Sequence, residues 1–206
     1  MKVYLDSVGC RLNQSEIEQY ARQFRSAGHT LVSSPDGADL MVLNTCAVTA
    51  AAAADSRKKV RYARRAGVGE IRLTGCWSDL EPEAAGQLEG VAAVVPNQHK
   101  ERLVSDLLQI DFDDFDFEPI ERQPLPGSRA KTRAYIKVQD GCDNRCTFCV
   151  TTIARGAGRS RPVAAGEAPT PKGEPPKPRR IRPASVSSRW NSKETPVSTL
   201  KSFPSR

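Results

Sequence analysis

No window of the sequence approaches the ~18 uninterrupted apolar residues that a membrane-spanning helix needs, and the N-terminus reaches Asp6 before any secretory apolar segment can form. A cytoplasmic protein with no membrane partner is therefore expected. Histidine is scarce: His29 and His99 are the only two. Apolar residues able to form a core are almost missing from residues 163–206, and so are acids. That stretch of 44 residues holds 9 of the 31 Lys+Arg but 3 of the 24 Asp+Glu, with 8 of the 15 prolines and 7 serines. It accounts for +6 of the net charge of +7 and leaves +1 for everything before it. The basic character thus belongs to the tail, which reads as disordered, and is no argument for a nucleic-acid-binding surface on the folded part.

Cysteine is present, and only in the first 149 residues: Cys10, Cys46, Cys76, Cys142, Cys146 and Cys149. Thiols in a reducing compartment stay reduced, so an even count does not imply three disulfides. Metal or redox chemistry becomes the leading class.

Strand-like and helix-like segments alternate over the first ~110 residues, the pattern of an α/β domain with a mostly parallel sheet. Residues 2–8 read as a strand broken by Gly9. Asn13 and Glu16 have the spacing of a helix N-terminus, and Ile17, Tyr20, Ala21 and Phe24 follow on one helical face, which Gly28 ends. Strands are expected at 29–32, 40–43, 70–73 and 91–95, and helices at 50–66, around 81–88 and at 100–108. Cys10, Cys46 and Cys76 each fall two or three residues past an expected strand, where the carboxyl ends of parallel strands share one edge and ligand crevices form. A single such cysteine reads as a small buried hydrophobe; three at matching strand ends read as a site.

Residues 109–130 read as an acidic linker, with Asp111, Asp113, Asp114, Asp116, Glu118 and Glu121 among Phe112, Phe115 and Phe117, and such segments are usually solvated spacers. Ala134, Ile136 and Val138 then alternate with Tyr135, Lys137 and Gln139 as in a strand. Next comes Gly141-Cys142-Asp143-Asn144-Arg145-Cys146-Thr147-Phe148-Cys149, the most specific feature of the chain. Three thiolates on one tight loop can hold three irons of a cubane cluster and leave the fourth open for a ligand. A structural zinc site is the alternative. It usually takes four ligands in paired spacings, and neither histidine lies near this loop.

Cys142, Cys146 and Cys149 match the cluster motif of radical S-adenosylmethionine enzymes. Gly9-Cys10, the segment from Asn13 to Glu16, Asn44-Thr45-Cys46 and Thr74-Gly75-Cys76 resemble the N-terminal domain of the methylthiotransferases within that group. Thr45-Cys46-Ala47-Val48-Thr49 with Asp55-Ser56-Arg57 is most similar to the subgroup acting on N6-threonylcarbamoyladenosine of tRNA, beside the anticodon. The resemblance implies two 4Fe-4S clusters, one on Cys10, Cys46 and Cys76 and one on Cys142, Cys146 and Cys149. It also implies S-adenosylmethionine on the open iron of the second cluster, with Phe148 packed near its adenine. The implied partners are the tRNA anticodon stem-loop and an electron-donating reductant protein. In that chemistry a cofactor-derived radical removes hydrogen from C2 of the adenine, and the first cluster supplies or carries the sulfur, because the C–H bond is beyond acid–base chemistry.

The resemblance covers about residues 1–162 and implies an N-terminal methylthiotransferase domain over 1–108 and the start of a radical barrel over 131–162. Beyond Pro162 the barrel's remaining helices and strands are not legible. A full (β/α) barrel typically takes ~250 residues, so an incomplete barrel and a truncated chain are expected, with 163–206 as the disordered tail. A shifted reading frame would leave such a tail. Two other readings stay open: a catalytically incompetent iron–sulfur-binding fragment, and a methylthiotransferase for isopentenyladenosine or for an aspartate of a ribosomal protein. Arg57, Arg61, Arg64 and Arg65 share one helical face and could meet RNA phosphates; a solvated helix face is the commoner explanation of such a stripe.

Overall fold

The fold is described from a computed structural model, over residues 1–111, 115, 123–127, 135–144 and 146–160. Elements in chain order are β1 (Lys2–Ser7), α1 (Arg11–Ser26), β2 (Thr30–Val32), β3 (Leu40–Thr45), α2 (Ala50–Arg65), β4 (Glu70–Gly75), α3 (Cys76–Leu80), α4 (Pro82–Gly86) and β5 (Val91–Val94). They continue with a 3-10 turn (Lys100–Arg102), α5 (Leu103–Leu108), β6 (Gln139–Asp140), α6 (Thr151–Arg155) and β7 (Arg159–Ser160).

Strands β1 to β5 form one sheet in the order β2-β1-β3-β4-β5, with every pairing parallel. This is the expected α/β architecture. All six residues of β3 are buried, as a strand covered on both faces requires. Successive side chains of β3 point to opposite faces. Leu40 and Val42 pack with Ile17, Tyr20 and Phe24 of α1 and with Leu103 and Val104 of α5. Met41 and Leu43 pack with Val60 and Ala63 of α2, Trp77 and Ala85. The stripe read from the sequence of α1 is therefore its buried face, and Gly28, at φ +78°, follows the helix end.

Several expectations change in detail. β3 and β4 each run two residues further than periodicity predicts, because Asn44-Thr45 and Thr74-Gly75 stay in register with each other. Cys46 and Cys76 thus follow their strands directly, and Cys76 opens a short helix, α3, that sequence periodicity did not reveal. The helix expected around 81–88 shortens to α4, and the one at 100–108 begins as a 3-10 turn. Helix α1 begins at Arg11, with Cys10 as its N-cap, so Asn13 and Glu16 do not form its capping pair.

The acidic segment does more than span: Phe115 is buried in the α1/α5 core, Leu125 packs against that core, and Arg25 donates to the carbonyls of Gln123 and Pro124 at 3.0 and 2.8 Å. The remaining acidic positions singled out beyond Asp111 lie outside the described residues. Residues 135–138 are not a strand; only Gln139–Asp140 pairs, antiparallel to Arg159–Ser160. The alternation is also inverted, since Lys137 is buried while Ile136 and Val138 are exposed. Carboxylates of α1, the 3-10 turn and β6 draw the Lys137 ammonium inward. Ala134 and the tail from 161 lie outside the described residues. Among the described residues, no helix is long and apolar enough to cross a membrane.

Candidate iron–sulfur sites

The order β2-β1-β3-β4-β5 reverses direction between β1 and β3, and ligands of doubly wound sheets bind at the carboxyl ends of the strands beside such a reversal. Cys10 follows β1, Cys46 follows β3 and Cys76 follows β4, so the topology sets the three thiols along that edge. Two glycines let the backbone come close enough. Gly9, at φ +91°, lies against Cys46, whose Sγ and Cβ occupy the space that a Cβ on residue 9 would fill. Gly75, at φ +97°, lies against the Asn44 side chain and the Thr45 backbone, which leave it no room for a Cβ. Any other residue would combine a disfavoured backbone conformation with a steric collision. This is the physical content of the two Gly-Cys pairs read in the sequence.

Asn13 ties the edge together. Its Nδ2 donates to the carbonyls of Val8 and Thr45 at 2.8 and 3.0 Å, joining the ends of β1 and β3, and its Oδ1 lies 3.6 Å from Cys10 Sγ. The Thr45 hydroxyl lies 2.8 Å from the carbonyl oxygen of Thr74 and accepts from the Ser78 amide at 3.0 Å, which fixes β3 to α3. Cys46 and Cys76 are buried and Cys10 is exposed. Burial pushes the Cys76 thiol up, and Arg155 beside it only partly offsets this.

Arg155 comes from the second cysteine segment. It is 4% exposed, donates from Nε to Cys76 Sγ at 3.2 Å, and donates from its second terminal nitrogen to Asn13 Oδ1 at 2.6 Å. Its first terminal nitrogen meets Asp140 at 2.9 Å and Glu16 at 3.3 Å. Lys100 Nζ contacts the same two carboxylates at 2.6 and 2.9 Å. Lys137 Nζ lies 3.1 Å from Glu16, 2.9 Å from Asp140 and 3.1 Å from Glu101. Burial alone would raise the Glu16 carboxyl, but Lys100, Lys137 and Arg155 outweigh it and hold Glu16 below the ordinary range. Asp140 is held well down against its burial by the ammonium groups of Lys100 and Lys137 beside it. The same carboxylates raise Lys137 and Arg155 against desolvation. Asn97 completes the seam by donating to the carbonyl of Ala154 at 2.5 Å.

Cys142, Cys146 and Cys149 are arranged differently. Their loop is held by its own backbone: Cys142 N donates to the Gly156 carbonyl at 3.1 Å, and Cys149 N to the Cys146 carbonyl at 3.1 Å. The Thr152 hydroxyl lies 3.0 Å from the carbonyl oxygen of Cys142 and 2.8 Å from that of Asn144. Asp143 accepts from Gly158 N at 2.9 Å. Cys146 is exposed, Cys142 and Cys149 are half-buried, and Phe148 is 91% exposed. Cys149 Sγ is 3.3 Å from the Thr151 hydroxyl, and hydrogen bonding from Thr151 holds that thiol below its ordinary value.

All six thiols are free. Among the described residues, no three His, Cys, Asp or Glu side chains converge as ligands of a single ion. A cubane presents its irons at separate corners, so three thiolates need not meet at one point to hold it. An all-thiol donor set fits such a group, and at the sheet edge the Arg155 guanidinium beside Cys76 suits an anionic one. Sequence reading missed Asn13 and Glu16 in these roles, along with Lys100, Lys137, Asp140 and Arg155. Asn13 and Glu16 do sit inside a segment that carries the family resemblance.

Two members of the arginine stripe are already engaged. Arg57 lies 5.5 Å over the Trp77 ring, and Arg64 pairs with Glu89 at 3.1 Å. Arg61 and Arg65, with Val60, Arg64, Leu88 and Glu89, line a cavity of about 250 Å³.

Residues 2–96 match the family model described as "Uncharacterized protein family UPF0004". The chain is 36% identical to the threonylcarbamoyladenosine tRNA methylthiotransferase of Chlamydia pneumoniae, over 76% of this chain and 36% of that protein. It is 33% identical to the tRNA-2-methylthio-N(6)-dimethylallyladenosine synthase of Ruegeria sp., over 79% of this chain and 40% of the relative. With the ribosomal protein uS12 methylthiotransferase of Anaeromyxobacter sp. the identity is 30%, over 79% and 37%. The chain thus spans between 36% and 40% of the length of these three relatives.

Proposed function

We propose that this chain, a relative of the methylthiotransferases from its first strand through the 142–149 loop, binds two 4Fe-4S clusters with separate duties. We further propose that it is of the type that adds a methylthio group to C2 of N6-threonylcarbamoyladenosine next to the tRNA anticodon. One observation carries this reading: cysteines from three different strand ends share the sheet edge at the topological reversal, and the second cysteine segment docks on that edge through Arg155. Cys10, Cys46 and Cys76 would hold one cluster, and Cys142, Cys146 and Cys149 the other. When bound, the clusters and S-adenosylmethionine supply one-electron cleavage of a carbon–sulfur bond and sulfur delivery, which no side chain here can provide.

The chain's own part is placement. Asn13 and Gly9 hold the ends of β1 and β3 together, Arg155 faces Cys76, and Thr152 fixes the 142–149 loop. Phe148 offers an open ring face next to Cys149, where the cofactor's adenine would stack. The substrate assignment rests on Thr45-Cys46-Ala47-Val48-Thr49 and Asp55-Ser56-Arg57. Its partners would be the tRNA anticodon stem-loop and a reductant protein, and its compartment the cytoplasm.

A second reading, cluster binding without turnover, is favoured by the open setting of Cys146 and Phe148. Anaerobic reconstitution followed by dithionite and S-adenosylmethionine separates the two. Formation of 5'-deoxyadenosine, abolished by C142A, C146A and C149A together, supports the first. Two clusters without that product support the second, and failure to take up iron and sulfide overturns both.

A further inference from the structure

Arg155 belongs by sequence to the second cysteine segment, six residues past Cys149, yet its guanidinium ends among the residues of the first site. It occupies three kinds of partner at once: the Cys76 sulfur, the Asn13 amide that ties β1 to β3, and the carboxylates of Glu16 and Asp140. A lysine could not do this, because only a guanidinium presents several donors in a fixed plane. Lys100 and Lys137 neutralise the same two carboxylates. Arg155 therefore has hydrogen-bonding capacity left for a sulfur. Among the described residues it is the cation whose hydrogen bond to a Cys76, Cys46 or Cys10 sulfur the structure shows. Potentials of sulfur-ligated clusters depend on net charge, hydrogen bonds to sulfur and solvent exposure, and Arg155 bears on all three at Cys76.

We propose that Arg155 is a positioning residue through which the second cysteine segment sets the reduction potential of the cluster held by Cys10, Cys46 and Cys76. This rests on the two-cluster reading above. A donor and a positive charge at the sulfur stabilise the reduced, more negative cluster and so raise its potential. A chain in which residues 142–160 leave the sheet edge loses that bias, so docking of one segment is felt electrically at the other site.

The test uses the full chain carrying C142A, C146A and C149A, so that only the first site binds a cluster. After anaerobic loading with iron and sulfide, the one-electron reduction is titrated against dye mediators and followed by electron paramagnetic resonance. Arg155→Gln is expected to shift the reduced-to-oxidised ratio at a fixed potential about tenfold towards oxidised, a fall of about 59 mV for a one-electron couple. Arg155→Lys, which keeps the charge but not the fork, is expected to recover part of the shift and serves if the glutamine variant does not fold. Lys137→Met damages the same ion network without touching Cys76 and is expected to shift the potential by clearly less than Arg155→Gln does. Parent potential in Arg155→Lys and Arg155→Gln, or an equal shift in Lys137→Met, overturns the assignment to Arg155. A parent that takes up no cluster dependent on Cys10, Cys46 and Cys76 overturns the two-cluster reading itself, and the role of Arg155 with it.

Discussion

The two cysteine groups have the same ligand count and opposite construction. Cys10, Cys46 and Cys76 are brought to one edge by three parallel strands, two glycines without room for a side chain, and a buried ion network. Cys142, Cys146 and Cys149 need only an eight-residue loop closed by its own backbone and Thr152, and they face solvent to differing degrees. The first site is therefore a property of the fold and should fail with it. The second is local and should survive single changes that leave the loop's hydrogen bonds intact.

The sharpest way to break that contrast is Glu16→Ala. It leaves Lys100, Lys137 and Arg155 sharing a single fully buried carboxylate, Asp140. Removing one partner from a buried ion network typically costs about 3–5 kcal/mol, and urea unfolding of the apo chain should show a loss of that size. Gly75→Ala comes next. A Cβ at φ +97° meets the Asn44 side chain and the Thr45 backbone, so strain and overpacking together should cost about 2–4 kcal/mol, again read by urea unfolding. Cys146→Ser on the open loop should change stability by no more than about 0.5 kcal/mol, as exposed substitutions usually do. An equal loss in Cys146→Ser and Gly75→Ala would erase the distinction between the sites.

The ion network also fixes a pH dependence. Glu16 and Asp140 have folded-state values below their ordinary 4.5 and 3.8. Their contribution is present above those ordinary values and is lost as the pH falls through the lower folded ones. Lys137 lies above its ordinary 10.5, so its contribution holds below that and is lost as the pH rises through the raised value. The melting temperature should be level between about pH 5 and 10 as far as this network is concerned, and fall on either side. Glu16→Gln should flatten the acid limb. The smallest effect expected is that of Phe148→Ala on the apo chain, within about 0.5 kcal/mol by thermal unfolding, because the ring touches little.

Periodicity made the sheet and the α1 stripe legible, and spacing made the 142–149 loop legible, since both are local patterns. The placement of Cys10, Cys46 and Cys76 after strands could be read, but the strand order that brings them to one edge could not. A polar pair at the Asn13/Glu16 spacing has the same look whether it caps a helix or turns inward, Asn13 to bridge strand ends and Glu16 to meet buried cations. The alternation over 134–139 tells faces apart only where there is a strand to alternate, so the inward turn of Lys137 was not legible in it. Arg155 gave no signal of its own, since nothing local reports a partner 79 residues away.

The most direct test of the account is an iron and sulfide count on anaerobically reconstituted chain, paired with Mössbauer spectra. The expected result is two cubanes, about eight irons per chain, falling to half when Cys10, Cys46 and Cys76 are replaced by alanine and to half when Cys142, Cys146 and Cys149 are. Uptake of zinc alone, or cubane absorption indifferent to both replacements, would contradict it.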